Sequence, residues 1–360
     1  MLHLTQIYLK NFRCFPEKNL DFSSNIVLLE GDNGSGKTSL LESIHYLCYL
    51  RSFKTYSPKE LVRFGESSFF IKAHFAADDD SAHEIQVGLS GAKRLVKLDQ
   101  KAVCSYKDLM HHYRIVTLTE DDLLLVKGMP DIRRTFIDQV ILLNNQDFIE
   151  TIRSFRQTLD NRNALLAQGS IHKESYMVWT EQLYEKSQEI QIQRIQWLEN
   201  LSKRVKMLAQ EHFGPELHIE FDYGLKKGVI GETFDGFIAK NPDLFDLERR
   251  FGRSLFGAHL DDFAIKLQDV KSKHYASRGQ QKLIALLLKI AQIQELSAQK
   301  GGVIFLLDDF MTDFDAARAQ IFLDILFSLK GQLIFTTPVK EGVLTCKLDS
   351  HGAQRISLTD

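Results

Sequence analysis

The sequence predicts an α/β fold: a doubly wound core carrying an antiparallel β layer, with a mainly helical lobe inserted into it. Three observations predict it. A buried strand, a glycine-rich loop and a helix follow one another directly over residues 25–48. Strand and helix alternate again over residues 277–336. The stretch 131–213 between them is nearly free of glycine and proline and rich in Gln, Glu, Arg and Leu. Alternation of strand and helix builds an α/β core, and here both ends of the chain carry it. The core is therefore assigned to residues 1–125 and 255–360, and the inserted lobe to 126–254.

Each element has its own signal. Leu2, Leu4, Ile7 and Leu9 keep near a two-residue period, and Asn25–Glu30 (NIVLLE) is a short apolar run that suits a strand buried on both faces; the first 30 residues read as a strand pair. Leu40, Leu41, Ile44, Leu47 and Cys48 then share one helical face. Phe69–Phe75, Glu84–Leu89, Arg94–Leu98 and Arg114–Leu118 are strand-like runs parted by turn signals at Asp78-Asp79-Asp80 and Ser90-Gly91, and read as the antiparallel layer. Two or three long helices are expected over 131–213, where Leu198, Leu201, Val205 and Leu208 make an apolar face too short for a long coiled coil. Short strands follow around Leu217–Phe221 and Phe263–Leu267. An amphipathic helix is expected over Ser277–Gln294, a buried strand over Gly302–Asp309, a helix over Gln320–Leu329 and a third buried strand over Gln332–Thr336.

Composition excludes several classes. With 360 residues, 44% of them hydrophobic, the chain can bury a core without disulfides or metals. Lys plus Arg number 45 and Asp plus Glu 47, a net charge of −2, so a polyanion is not held by bulk charge and any nucleic-acid surface must be a local patch. Cys14, Cys48, Cys104 and Cys346 form no CxxC pair, which argues against zinc ribbons and disulfide scaffolds. No apolar run approaches the roughly 20 residues that span a bilayer, and the start is not a signal peptide. A cytoplasmic protein with no membrane segment is expected.

Gly31-Asp32-Asn33-Gly34-Ser35-Gly36-Lys37-Thr38 matches the phosphate-loop pattern G-x-x-x-x-G-K-[ST] between a buried strand and a helix, the context that gives the pattern meaning. Glycines let backbone N–H groups wrap a phosphate, Lys37 reaches the β- and γ-phosphates, Thr38 offers a hydroxyl to Mg²⁺, and the helix presents its positive end. Val303–Asp309 (VIFLLDD) is an apolar strand ending in two carboxylates. Asp308 is expected in the Mg²⁺ shell, and Asp309 is placed to orient or activate the attacking water. Ala276-Ser277-Arg278-Gly279-Gln280-Gln281 opens a helix 31 residues before Asp308 (308 minus 277). Ser277 suits an N-cap, but a cap does not account for Gly279 and Gln280 in the first turn. A helix start with small residues can bind a phosphate, here the γ-phosphate of a nucleotide held by another subunit.

The phosphate loop, the Ser-Arg-Gly-Gln element and the Leu-Leu-Asp-Asp strand resemble the ABC-type ATPases of the SMC and RecF group. Asn11-Phe12-Arg13, Arg51-Ser52-Phe53-Lys54, Asp131–Asp138 (DIRRTFID) and Gly257-Ala258-His259 bring the resemblance closer to the RecF family of bacterial recombination mediators, over essentially the whole chain and least over residues 165–250. The resemblance implies that Gly31 through Thr38, with Ser39, bind ATP and Mg²⁺. It implies that Ser277, Arg278, Gly279 and Gln280 form the signature that contacts ATP across a dimer interface. Asp308 becomes the magnesium carboxylate, Asp309 the catalytic one, and Asp315 part of the following coupling turn, Met311–Asp315. It further implies an ATP-dependent homodimer that binds DNA without sequence preference, as duplex and at gaps or junctions, and that acts with RecO and RecR to place RecA.

Three departures qualify it. Ala276 stands where the signature usually begins with Leu. Asp309 replaces the Glu usual in ABC ATPases, a feature shared by RecF-like proteins, so slow turnover is expected. Thr336-Thr337 stands where transporter ATPases carry a switch His, and the Q-loop position is not evident. The alternatives are an ABC-transporter ATPase subunit, a small-molecule P-loop kinase and an SMC-type tether. The missing His and the Asp-Asp pair weigh against the first, the presence of a signature against the second, and the short helical segment against the third.

Basic side chains cluster at Arg51/Lys54, Arg133/Arg134, Arg153/Arg156/Arg162, Lys226/Lys227 and Arg249/Arg250/Arg253. Each reads either as a solvated face or as a contribution to a DNA cleft assembled on dimerisation.

Overall fold

The computed structural model describes residues 3–76, 81–103, 109, 113–168, 172–227, 230–300, 302–309, 314–337 and 343–358. The turn at Asp78-Asp79-Asp80, Cys104 and most of Met311–Asp315 lie outside them. The chain forms two compact units, Met1–Asp122 with Leu286–Asp360, and Leu123–Ala285. The boundary expected after residue 254 is displaced, and residues 255–285 belong to the middle unit. The reason is strand pairing: Asp262–Leu267 lies antiparallel to Ile219–Gly224 along its whole length. A strand partner within the lobe thus ties this segment to the middle unit.

In the first unit a five-stranded sheet runs in the order Gln354–Ser357, Ile26–Glu30, Gly331–Thr337, Val303–Leu307, Ile115–Leu118. Every neighbouring pair is parallel. The four strands from Ile26–Glu30 to Ile115–Leu118 are continuous apolar runs of the sequence, as parallel strands covered on both faces require, whereas Gln354–Ser357 at the edge is mostly polar. Ile115–Leu118 was expected in the antiparallel layer, but all four of its residues are buried and it forms the edge of the parallel sheet beside Val303–Leu307.

The antiparallel layer has six strands, in the order Phe15–Asp21, His3–Phe12, Ser68–Ala76, Ala82–Ser90, Lys93–Leu98, Lys101–Ala102. Ser68–Ala76 alternates buried and half-buried residues along its full length, the mark of a sheet with one face on the core. His3–Phe12 does not pair with Ile26–Glu30 as the strand-pair reading had it. It pairs with Phe15–Asp21 and Ser68–Ala76. Pro16, Glu17 and Lys18 conceal Phe15–Asp21 as a strand, and it survives because it lies at the sheet edge, where proline is tolerated.

Buried Gln332 joins the two sheets. Its side-chain oxygen accepts from the Leu4 N–H (2.8 Å), and its amide nitrogen donates to the carbonyls of Leu4 (3.0 Å) and Ser24 (3.2 Å). This satisfies backbone groups where the His3–Phe12 register slips between Leu4 and Gln6.

The second unit is built on three helices, Pro130–Asn144, Phe148–Leu166 and the 41-residue Lys173–Phe213. Leu198, Leu201, Val205 and Leu208 are buried, as their spacing predicts. Its interior also holds charge. Arg162 and Glu248 are fully buried and paired, with Ser254, Thr180 and Tyr176 completing their hydrogen bonds. Arg194 forks onto Asp138 and donates to the Ala258 carbonyl (2.6 Å). Arg133 forks onto Asp262. The Asp131–Asp138 and Gly257–His259 segments are thereby stitched together. Helix Arg278–Lys300 starts in this unit and ends in the first.

Candidate nucleotide site

Strand Ile26–Glu30 ends at the C-terminal edge of the parallel sheet, and residues 31–36 turn the chain directly into helix Lys37–Tyr49. Gly34 and Gly36 hold φ of +91° and +97°, values that L side chains rarely adopt. A Cβ on Gly36 would also lie 2.6 Å from the Phe15 ring and 2.7 Å from the Cys14 sulfur, so the turn before Phe15–Asp21 backs the loop closely. Asp32, Asn33 and Gly34 are exposed at the loop tip. Ser35 donates its N–H to the Asp32 carbonyl (3.1 Å), while its buried hydroxyl has no protein partner. Lys37 is 5% exposed, and its ammonium donates to the carbonyls of Gly31 (2.7 Å) and Asp32 (3.1 Å). Two of three ammonium donors thus hold the loop in shape, leaving one for an anion in its hollow. Ser39 lies half-buried in the first helical turn.

The carboxylate strand meets the loop from one strand further across. Val303–Leu307 is separated from Ile26–Glu30 by Gly331–Thr337. Thr38 donates its hydroxyl to Asp308 Oδ1 at 2.9 Å. A hydroxyl and a carboxylate oxygen converging this way form a hard-oxygen donor pair. Mg²⁺ in nucleotide sites takes one or two such protein ligands, with phosphates and waters for the rest. The described residues contain no cluster of three His, Cys, Asp or Glu suited to a metal, so a metal here would depend on the phosphates. Burial raises the Asp308 carboxyl pKa, while the Thr38 and Thr336 hydrogen bonds oppose the rise.

Asp309 has φ +48°, turning its backbone sharply after the strand. Thr336, on the strand between, accepts the Asp309 N–H (2.8 Å) and lies 3.0 Å from one oxygen of each carboxylate. By sequence Thr336 is marked only as standing in place of a switch histidine. Its function in orienting both acids has one sequence signal, a hydroxyl in an otherwise apolar buried strand.

The signature segment lies in the second unit. Ser277 Oγ accepts from the Gln280 N–H (3.3 Å), and the Gln280 side chain accepts from the Ser277 N–H (2.8 Å). This reciprocal pair is a capping box. The cap therefore explains Gln280 as well as Ser277, and only Gly279 still calls for a reason beyond capping. Ser277 and Arg278 are exposed. Asp315 caps helix Ala316–Phe327, accepting from the Arg318 N–H (2.9 Å). The basic clusters are sorted by burial. Arg133 and Arg162 are consumed in ion pairs, and Arg134 donates to the Asp261 carbonyl. Arg51, Lys54, Lys226, Lys227, Arg249, Arg250 and Arg253 are exposed.

A glycine-rich loop between strand and helix, an acidic strand end bonded to its threonine, an antiparallel layer and a helical lobe define an ABC-type P-loop ATPase fold. The family model "RecF/RecN/SMC N terminal domain" matches residues 3–350. The DNA replication and repair protein RecF of Geotalea daltonii is 31% identical over 99% of this chain and 98% of its own. That of Lactobacillus johnsonii is 31% identical over 95% and 94%. A solved structure of the recombination mediator protein RecF with ATP superposes with a TM-score of 0.83 at 25% identity, covering 94% of this chain and 93% of that one. An Smc head domain from Pyrococcus furiosus shares the fold at 15% identity and a TM-score of 0.54, over 96% and 92%. The chain belongs to the RecF family.

Proposed function

We propose that the chain is an ATP-switched DNA-binding protein of recombinational repair and replication restart. ATP binds at Gly31–Ser39, and two copies close on it, Ser277–Gln280 of each meeting the nucleotide of the other. The closed dimer holds DNA at single-strand gaps or junctions and, with RecO and RecR, helps load RecA. Hydrolysis opens it. The observation that carries the reading is the hydrogen bond from Thr38 to Asp308, which brings loop and carboxylate strand together across 270 residues of chain.

Lys37 steadies the loop and would bind phosphate, Thr38 and Asp308 would hold the metal, and Asp309 would orient the attacking water. Mg²⁺, when bound, supplies neutralisation of charge developing on the phosphate oxygens. An aspartate reaches the water less far than a glutamate, so turnover is slow. The protein works in the cytoplasm; among the described residues no helix is long and apolar enough to cross a membrane.

DNA binding rests on phosphate contacts and is steeply salt-dependent. The test is a sizing assay with and without ATP, on gapped and intact duplex, at two salt concentrations. Wild-type protein dimerises and binds DNA only with ATP, and the Lys37→Ala variant does neither. DNA binding unchanged in Lys37→Ala refutes the switch.

A further inference from the structure

Thr336 is 3% exposed and ends the apolar run Leu333-Ile334-Phe335 of its strand, so its hydroxyl must find its partners inside the protein. A hydroxyl carries one proton and two acceptor lone pairs. One lone pair takes the Asp309 N–H at 2.8 Å. Asp308 Oδ1 and Asp309 Oδ1, each at 3.0 Å, compete for the proton, with the Leu307 carbonyl further off at 3.5 Å. Thr336 can therefore donate to only one of the two acids at a time. Asp308 Oδ1 also accepts the Thr38 hydroxyl at 2.9 Å. The backbone adds a second observation. Asp309 has φ +48°, in the left-handed region that costs a residue with a Cβ energy. Such a conformation persists where the surrounding structure holds it, and the N–H bond to Thr336 is one such hold.

We propose that Thr336 is a positioning residue that makes the orientation of Asp309 depend on the state of Asp308. While Asp308 Oδ1 is a hydrogen-bond acceptor only, the two acids share the claim to the Thr336 proton. Once Asp308 Oδ1 gives an electron pair to a cation it becomes the poorer acceptor. The proton then turns to Asp309 Oδ1 by rotation about the Thr336 Cβ–Oγ1 bond, and no covalent bond changes. Asp309 is now gripped at its N–H and at one carboxylate oxygen by the same hydroxyl, which narrows where the other oxygen can point. The task needs a donor and an acceptor on one atom. Threonine and serine supply both, and valine, of the same shape as threonine, supplies neither. The inference rests on the ATPase reading of the site.

Steady-state ATP hydrolysis and equilibrium binding of a fluorescent ATP analogue test it, on wild type, Thr336→Val, Thr336→Ser, Asp309→Asn and the Thr336→Val/Asp309→Asn double variant, with Lys37→Ala as the reference. Thr336→Val lowers kcat about tenfold while the Kd for the analogue at saturating Mg²⁺ moves less than about threefold, and Thr336→Ser returns kcat to within about threefold of wild type. The double variant is no slower than Asp309→Asn alone, because Thr336 acts through Asp309. The Mg²⁺ concentration for half-maximal analogue binding stays level or falls in Thr336→Val, because the lost proton competes with the cation for Asp308. Wild-type kcat in Thr336→Val overturns the proposal. So do losses that multiply in the double variant, a serine variant no faster than the valine one, or a rise in the Mg²⁺ requirement. If Thr336→Val fails to fold, Thr336→Ala replaces it throughout. Wild-type hydrolysis no faster than Lys37→Ala overturns the ATPase reading instead.

Discussion

Gly36 couples backbone geometry to ligand chemistry at a single position. Its φ of +97° strains any side chain, and the Phe15 ring and Cys14 sulfur occupy the space a methyl group needs. Gly34 has a similar φ of +91° but opens onto nothing within 4 Å. Gly36→Ala is expected to abolish ATP-analogue binding and lower the melting temperature, because the loop must move off its backing. Gly34→Ala carries only the backbone cost of about 1 kcal/mol and keeps measurable binding. Fluorescence titration with a parallel thermal melt separates the two. Thr336 carries a different lesson. One hydroxyl accepts the N–H of Asp309 and touches both acids, so the carboxylate pair has its geometry fixed by a residue on the neighbouring strand.

Helix Arg278–Lys300 begins with a capping box, which poses a question about the signature. A cap stabilises a helix wherever it occurs, whereas a γ-phosphate contact demands a neutral donor. Ser277→Asp separates them. Aspartate caps as well as serine, and its loss to alanine costs about 1 kcal/mol, so Ser277→Asp should melt like wild type and Ser277→Ala slightly lower. Hydrolysis and ATP-dependent dimerisation should fail in Ser277→Asp, because the new charge repels the partner's nucleotide. Normal turnover in that variant reduces Ser277 to a cap. The strand elements follow a similar logic. Ile115–Leu118 joined the parallel sheet because it is buried on both faces, and Asp262–Leu267 joined the lobe because its pairing partner lies there.

At the scale of the whole molecule, two buried histidines, one in each unit, make stability depend on pH. His45 in the first unit is pushed down to about 3 by burial, assisted by Lys289. His259 in the second is pushed down to about 4, again chiefly by burial. Above the unfolded histidine value of about 6.5 both states are neutral and this stability is fully present. Below it the unfolded chain takes up protons that the folded chain refuses, so stability is lost as pH falls toward the folded values. The slope approaches about 1.4 kcal/mol per pH unit for each histidine. Urea midpoints should fall steadily from pH 7 to pH 5.5 and stay flat from 7 to 8. In His45→Gln the fall should be shallower.

Much of this protein was legible along the chain. The glycine spacing, the apolar runs ending in Asp308 and Asp309, and the helical periodicity of residues 131–213 are local signals. They record backbone preference and burial within a few residues, and they suffice to announce a P-loop core with a helical insertion. Partner choice was not legible. Arg162 belongs by sequence to a cluster that reads as a solvated face or part of a DNA cleft, yet Glu248, 86 residues away, holds it in the interior. Gln332 and Glu42 are ordinary strand and helix positions by sequence, and only the fold brings Leu4 and Arg13 against them. The order of residues settled which conformations each segment prefers. The folded chain settled which charges remain exposed, which are neutralised inside, and where residues 255–285 belong. Those outcomes depend on contacts between segments tens to hundreds of residues apart, which no local pattern encodes.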